Sequence, residues 1–237
     1  MERDFETTVT GWYLLAAAAV TWLTWTLLPH PLGTYLEPGD FAAIAASYRP
    51  WIWLFRGYFF GQMVTVMALI ALAMLLGRSR GRIFCSPGTV VAITGIAVGA
   101  VGAAFYYHHG AWGAANLAGG PPEATAAFLA AIFHDTEFIT CLTRFGRVFF
   151  GLGQLVLAAG LWMAAGLIPR WLAGAGALLG AAAMALTMGL PDDLHLYAPI
   201  FHANALWLAA LGVVLLRRPP REEASSSPTS DGGRFAT

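Results

Sequence analysis

The sequence predicts an all-α fold: a polytopic membrane helix bundle with about six transmembrane helices. Hydrophobic residues make up 58% of the 237 residues, charged residues make up only 11%, and the apolar residues gather in long stretches. A soluble domain carries roughly 25% charged residues, because a globule in water needs a polar shell. A surface that faces lipid removes that need. The formal net charge of zero argues against a nucleic-acid partner.

The lengths of the apolar stretches predict where the chain crosses the bilayer. A helix rises about 1.5 Å per residue and the hydrocarbon core is about 30 Å thick, so a span needs roughly 20 residues. The predicted spans are 10–28, 51–77, 88–107, 145–168, 171–189 and 197–216. We interpret the first stretch as a retained span, because its flank MERDFE is acidic whereas a signal peptide begins with a basic region.

These spans divide the chain into a membrane part and a tail. The predicted organisation is a transmembrane bundle over 1–218, with outer segments at 29–50 and 108–143, and a disordered cytoplasmic tail over 219–237. The part from about 110 to 143 is expected to form a lid.

Arginine placement predicts the orientation. Arginines follow the second, fourth and sixth spans, at Arg78, Arg80, Arg82, Arg170, Arg217, Arg218 and Arg221. With six spans, all of them share one side with the N-terminus, and the positive-inside rule makes that side cytoplasmic. The predicted location is the bacterial inner membrane, with both termini cytoplasmic.

All six histidines fall on the outer side of this topology, at His30, His108, His109, His134, His195 and His202. Imidazole is a common ligand of zinc, copper and haem iron, so His108, His109, His195 and His202 are candidate metal ligands. No two of them have the spacing of a ligand pair on one helix face. The alternative is that they lie at the interface, hydrated by water and headgroups. No cofactor is predicted, and a metal or haem remains the less favoured alternative.

Polar residues near the outer surface form the main candidate site. If the helix of the fourth span begins early, His134, Glu137 and Arg144 share one face, since they lie three or four residues apart or multiples of that spacing. The candidate catalytic residues are His134, Asp135, Glu137, Asp192 and His195. The candidate binding residues are Arg56, Arg144 and Arg147.

Arg56 lies inside the second span, where a charge needs a partner, and Glu137 or Asp135 is the expected one. Two interpretations stand: a pocket open to the outside, or ion pairs that hold the second and fourth spans together. Deeper in those spans, Gln62 and Gln154 are expected to hydrogen-bond across helix interfaces.

Small residues indicate close helix packing. Glycines four residues apart leave one helix face without side chains, so another helix backbone can approach closely. They occur at Gly95 and Gly99 on the third span and at Gly176 and Gly180 on the fifth. The partner is either another helix of the same bundle or a second protein, which includes a homo-oligomer.

The stretch VFFGLGQLVLAAGLWMAAGLIPRWLAGAGALLGAAAMAL at 148–186 resembles a family of uncharacterised bacterial multi-pass membrane proteins that carry a domain of unknown function. In that family an FFGL span is followed by an LPRWLG-type hairpin turn, and a Phe-Arg pair starts the second span, as Phe55 and Arg56 do here. Ile168 and Ala173 depart from the turn motif. The resemblance implies a bundle of about six helices and assigns no catalytic residues.

The sequence is compatible with two functions. The first is a non-enzymatic membrane protein, either an accessory protein or subunit or a binder of a small apolar molecule, because no recognisable catalytic motif is present. The alternative is a membrane enzyme that acts on a lipid-soluble substrate at the outer face through the His/Asp/Glu/Arg pocket. The expected partners are the lipid bilayer and, through the glycine faces, another membrane protein or a second copy.

Overall fold

The computed structural model describes residues 2–27, 38–164, 166–190 and 194–218. Throughout these residues the regular structure is helical, and no strand occurs among them. The helices are α1 (Glu2–Thr26), α2 (Pro38–Ala46), α3 (Tyr48–Leu76), α4 (Arg82–Phe105), α5 (Gly113–Leu117), α6 (Pro122–Ala131), α7 (Phe133–Met163), α8 (Arg170–Gly189) and α9 (Leu194–Leu216). A π-helical turn, Tyr106–Trp112, joins α4 to α5.

Five helical segments are long and apolar enough to cross a membrane, which confirms the predicted all-α membrane bundle. They are Tyr48–Leu76, Arg82–Leu117, Phe133–Met163, Arg170–Gly189 and Leu196–Leu216. The first predicted span, in α1, is not among these five, and threonines such as Thr21 and Thr24 interrupt its apolar run.

Helix α1 nevertheless belongs to the bundle, because it lies antiparallel along α9. At one end of the pair, a Cβ added at Gly11 would lie 3.1 Å from the carbonyl oxygen of Gly212. At the other end, the Trp22 and His202 rings are 4.7 Å apart between centroids. Helix α1 therefore extends across the same layer as α9 and is the sixth long helix of the described bundle.

Two helical segments differ from the apolar stretches at their ends: one is longer at both ends, and the other begins earlier and also ends earlier. The third predicted span, 88–107, lies within a helical segment that runs from Arg82 to Leu117, and the fourth, 145–168, begins at Phe133 and ends at Met163. The predicted outer segment 108–143 is therefore mostly helix, and only 118–132 lies between the two long segments. Hydropathy measures immersion in lipid, whereas a helix continues beyond the lipid until a residue such as Gly119, with φ of 80°, ends it.

Glycines bring α4 and α7 into backbone contact. On α4 and just before it they recur every seven residues, at Gly81, Gly88, Gly95 and Gly102. On α7 they recur at the same interval, at Gly146, Gly153 and Gly160. Seven residues are about two helical turns, so each set keeps to one face. A Cβ added at Gly95 would lie 2.5 Å from the carbonyl oxygen of Gly146, which leaves no room for any side chain.

The four glycines predicted to mark packing faces do not behave alike. Gly95 faces α7, Gly176 packs under the Trp207 ring, and Gly180 lies against the Gly151 carbonyl. At Gly99 the backbone nitrogen would lie 3.1 Å from a Cβ added at Gly146 of α7, but a Cβ added at Gly99 itself would have no heavy atom within 4 Å. The missing side chain leaves a space inside the bundle there. A contact with a second protein through these faces stays a prediction.

The buried apolar residues form two clusters. The larger one fills the bundle between α1, α3, α4, α7, α8 and α9, and includes Leu14, Leu72, Leu157 and Leu211. The smaller one joins α2, the π-helical turn, α5 and the start of α3; its members are Phe41, Ile44, Trp51, Ile52, Ala111, Ala114 and Ile132. We call α2, α5 and α6 the cap, because they cover the end of the bundle at which α3 begins.

Candidate functional site

A cavity of about 250 Å³ lies in the centre of the bundle, between α1, α3, α4, α7, α8 and α9. It extends from Trp51 and Tyr106 at the cap end to Leu208 on α9. Glycines create much of the space, since Gly61, Gly95, Gly99, Gly102 and Gly146 all line it. The close approach of α4 to α7 thus fixes the part of the cavity wall that these two helices form. The open side of Gly99 leaves empty space in that wall.

Arg147 and Tyr197 form the first polar level of the cavity. The guanidinium carbon of Arg147, on α7, lies 4.2 Å from the centre of the Tyr197 ring, on α9. Both residues line the cavity. A guanidinium stacked on an aromatic face is attracted by the ring quadrupole, most strongly where water is scarce. The predicted binding residue Arg147 therefore lies at the cavity wall.

Gln154 and Asn204 form a second polar level, seven residues further along α7 and α9. The Gln154 Nε2 donates a hydrogen bond of 2.7 Å to Asn204 Oδ1. Gln154 is 2% exposed and Asn204 is 6% exposed, and Asn204 lines the cavity. Seven residues of helix are about 10.5 Å, so this level lies about that far from Arg147 along the helix axis. The expected hydrogen bond of Gln154 across a helix interface is confirmed.

The remaining polar residues of the wall are mostly threonines that bond to their own helices. Thr24, Thr65 and Thr187 donate to the carbonyl oxygen four residues earlier, at 2.7 to 2.8 Å. Their hydrogens are thus directed at the backbone and not at the cavity. On α3 the Tyr58 hydroxyl is within hydrogen-bonding reach of Gln62, and both line the cavity.

Arg144 and Arg56, the other two predicted binding residues, lie away from the cavity wall. Arg144 Nη2 donates to the carbonyl oxygens of Thr187 and Leu190 at the end of α8. Arg56 is exposed; its Nε donates to the Tyr107 hydroxyl at 3.2 Å, and its guanidinium lies 4.9 Å from the centre of the Trp53 ring. Each of these contacts joins one helix to another or to an interfacial aromatic ring.

The predicted partner of Arg56 is wrong. Helix α7 is continuous from Phe133, so His134 and Glu137 do share a face, and His134 Nδ1 lies 3.5 Å from Glu137 Oε2. Their side chains are 92% and 48% exposed, and neither Glu137 nor Asp135 forms an ion pair with Arg56 in the described part of the chain. Arg56 points to the π-helical turn instead, where Tyr107 is in reach without burying a charge.

The predicted group of catalytic residues is only partly described. Asp192 lies outside the described residues, and so does the side chain of His195. His134, Asp135 and Glu137 are exposed at the start of α7 and do not line the cavity. Along the described chain, the structure brings only His134 and Glu137 together.

The described histidines lie in aromatic surroundings. His108 and His109 are neighbours in the π-helical turn with ring centroids 4.8 Å apart, and His109 packs on Phe105 at 4.6 Å. His202 packs on Trp22 across the α1–α9 interface. Over residues 2–27, 38–164, 166–190 and 194–218, no three His, Cys, Asp or Glu side chains gather as a metal would require. The prediction about metal and haem remains untested.

Sequence reasoning missed Asn204 and the cavity itself. A signal was present, because Arg147 and Gln154 are seven residues apart on α7, and Tyr197 and Asn204 are seven residues apart on α9. A polar residue repeated at seven-residue spacing marks one helix face, and two such faces can meet across a bundle. Which helices are neighbours is not visible in the sequence, so the two pairs could not be connected.

No protein family, curated protein or solved structure matches this chain. The resemblance of 148–186 to bacterial proteins with an FFGL span stays a prediction.

Proposed function

We propose that this protein is a multi-pass protein of the bacterial inner membrane that binds a small, largely apolar molecule in the central cavity. It acts as a binding protein, accessory protein or subunit, without a catalytic step of its own. The observation that carries this proposal is the largely apolar cavity of about 250 Å³ inside the helix bundle.

The composition of the wall supports a ligand that is mostly apolar. Phe55, Ile96, Phe150, Ile200 and Leu208 are among the apolar residues that line the cavity. Small-molecule sites are typically apolar with a few placed polar groups, as here. The volume lies just below the range of about 300–1,000 Å³ common for ligand pockets. The expected ligand is therefore compact.

The alternative of a membrane enzyme has less support. Its central residues, His134 and Glu137, are exposed and lie apart from Arg56. Acid–base catalysis benefits from a site that excludes water and fixes the groups, and these side chains lack such an enclosure within the described structure. The cavity is the better-formed candidate.

The proposed orientation places both termini in the cytoplasm. Arg78, Arg80, Arg217 and Arg218 are exposed at the end of the bundle opposite the cap. Gly11 lies beside Gly212, so the first turns of α1 approach the same end. A membrane end rich in arginine is the cytoplasmic one by the positive-inside rule. The cap would then face the outside.

Two glycines allow a matched test of the cavity. A Cβ added at either Gly57 or Gly99 would have no heavy atom within 4 Å, but only Gly99 lines the cavity. In Gly99→Leu the new side chain occupies the hollow, whereas in Gly57→Leu it lies elsewhere. Both variants put the same residue into a helix at a position where the added Cβ meets no neighbour, and the unfolding of the two variants serves as a common reference.

The experiment measures binding of isopropylnaphthalene, a compact hydrocarbon, to the purified protein in lipid nanodiscs by equilibrium dialysis. Nanodiscs without protein correct for partition into lipid. Saturable binding is expected for the natural protein and Gly57→Leu, with at least about tenfold weaker binding for Gly99→Leu, since filling the cavity removes about 1.4 kcal/mol or more of contact. Equal affinity of Gly99→Leu and Gly57→Leu would overturn the proposal.

A further inference from the structure

The side-chain amide of Asn204 is held in one orientation by Gln154. The Gln154 nitrogen donates to Asn204 Oδ1 at 2.7 Å, and this is the single hydrogen bond of the Asn204 side chain within the described structure. The reversed arrangement would place the Gln154 nitrogen, with two N–H donors, where Gln154 Oε1 now lies. That position is sealed from solvent and has no partner among the described residues. Two N–H donors without a hydrogen-bond partner at that position would cost more free energy than an oxygen without one, because a buried carbonyl oxygen tolerates a missing hydrogen bond better.

This orientation leaves Asn204 Nδ2 available to a ligand. Only 6% of the surface of Asn204 is exposed, and the residue lines the cavity. Gln154 Oε1 and His202 Nδ1 are sealed atoms without described partners, but Asn204 Nδ2 is not sealed in this way. The accessible surface of that nitrogen therefore belongs to the cavity. An amide nitrogen carries two N–H donors and no acceptor.

The lining of the cavity around this donor is largely apolar. Thr65 and Leu208 belong to the same lining, and the Thr65 hydroxyl donates to the Gly61 carbonyl. Arg147 lies about 10.5 Å away along the helix axis, because seven residues of helix separate it from Gln154. A hydrogen bond in such low-dielectric surroundings is electrostatically strong, and leaving the donor unmet is costly.

We propose that Asn204 determines the specificity of the cavity by donating a hydrogen bond from Nδ2 to a carbonyl oxygen of an otherwise apolar ligand. This inference rests on the proposed function and adds the chemical class of the ligand, a neutral carbonyl compound. Gln154 is the positioning residue, since its nitrogen donates a hydrogen bond to Asn204 Oδ1 and so leaves Nδ2 directed toward the cavity.

The test compares two probes that differ only in the proposed group. Acetylnaphthalene and isopropylnaphthalene have the same number of non-hydrogen atoms and similar shapes, but only the first has a carbonyl. The natural protein in nanodiscs is expected to bind the ketone about fivefold more tightly, as one neutral hydrogen bond implies. In the double variant Gln154→Leu/Asn204→Leu, which removes the amide pair together, this preference is expected to disappear.

Two further measurements isolate the roles of the residues. Thr65→Val is the matched control, because it removes a hydroxyl from the same wall that is already bonded to its helix; it should keep the ketone preference. Gln154→Leu alone should reduce the preference for the ketone while the affinity for isopropylnaphthalene stays the same. A residue that only stabilises the fold would change both affinities alike.

The infrared spectrum of carbonyl-labelled acetylnaphthalene tests the contact without any variant. Bound to the natural protein, its carbonyl band is expected at lower frequency than in alkane solvent. An unshifted band, or a ketone preference that persists without the amide pair, overturns the role of Asn204 even if Gly99→Leu still blocks isopropylnaphthalene. If Gly99→Leu weakens neither probe relative to Gly57→Leu, the proposed function and this inference fail together.

Discussion

Arg144 on α7 donates a hydrogen bond of 2.6 Å from Nη2 to the carbonyl oxygen of Thr187 on α8. A second, longer bond of 3.4 Å reaches the carbonyl oxygen of Leu190. The last carbonyls of a helix have no partner within it, and the helix dipole makes that end negative. The guanidinium therefore caps α8 and fastens it to α7, beside the wall of the cavity that Thr187 lines.

Replacing Arg144 by methionine should lower the stability of the protein. We expect Arg144→Met to reduce the free energy of unfolding by about 1.5–3 kcal/mol, the contribution of hydrogen bonds to a charged group. Arg82→Met is the control, because Arg82 is exposed at the start of α4 and its change should stay within about 0.5 kcal/mol. Unfolding in mixed micelles measures both. Equal stability of the two variants would contradict a capping role.

The glycine contact between α4 and α7 predicts opposite effects for two glycine-to-alanine substitutions on one helix. A Cβ at Gly88 would lie 2.5 Å from the backbone nitrogen of Leu157, so Gly88→Ala should cost about 1–3 kcal/mol by forcing the helices apart. Gly99→Ala meets no atom within 4 Å and should be neutral or stabilising by up to about 1 kcal/mol. Thermal unfolding in detergent compares them. An equal change in stability at both positions would indicate that helix propensity, and not the contact between the helices, determines the effect of each substitution.

A double-mutant cycle can locate the partner of Arg56. The Arg56 Nε bonds to the Tyr107 hydroxyl at 3.2 Å, so Arg56→Ala and Tyr107→Phe should be coupled by about 0.5 kcal/mol, a small value because Arg56 is exposed. Arg56→Ala and Glu137→Ala should be additive. The free energy of unfolding in mixed micelles is measured for the natural protein, the two single variants and the double variant of each cycle. Coupling to Glu137 without coupling to Tyr107 would favour the ion pair that the sequence suggests.

Labelling with a membrane-impermeant maleimide tests the proposed orientation. The natural cysteines are convenient, since Cys85 is 0% exposed and Cys141 alone is exposed. In a Cys141→Ser background, His134→Cys should react in intact cells, because its side chain is 92% exposed at the cap end. Arg80→Cys, at the opposite end, should react only after the membrane is made permeable. The reverse pattern would invert the topology.

The sequence predicts the membrane architecture well because lipid imposes a simple rule. Five of the predicted spans lie in helices that are apolar and long enough to cross a membrane, since the hydrocarbon core requires both properties at once. The same rule fails at the helix ends. His134, Asp135 and Glu137 break the apolar stretch but do not break the helix, so α7 begins at Phe133.

The candidate site was less predictable, because neighbour relationships between helices are absent from the sequence. Gln154 was correctly predicted to bond across an interface, but its partner Asn204 is fifty residues away along the chain. Arg56 and Glu137 have complementary charges, yet the π-helical turn presents Tyr107 to Arg56 first. Gly99 has its backbone beside Gly146 of α7, but its missing side chain also leaves open space, and the rotation of α4 that decides where this space lies is not visible in the sequence.

The pairing of α1 with α9 has a consequence for biosynthesis. Gly11 lies against Gly212, and Trp22 lies against His202, so α1 has its long interface with a helix that is synthesised long after it. Synthesis proceeds at about 5–20 residues per second, which leaves α1 waiting on the order of ten seconds or more for that surface. During this interval the threonine-rich face of α1 must be accommodated by lipid, by α3 or by the insertion machinery. When α9 packs against α1 and α8, the bundle and its cavity are complete.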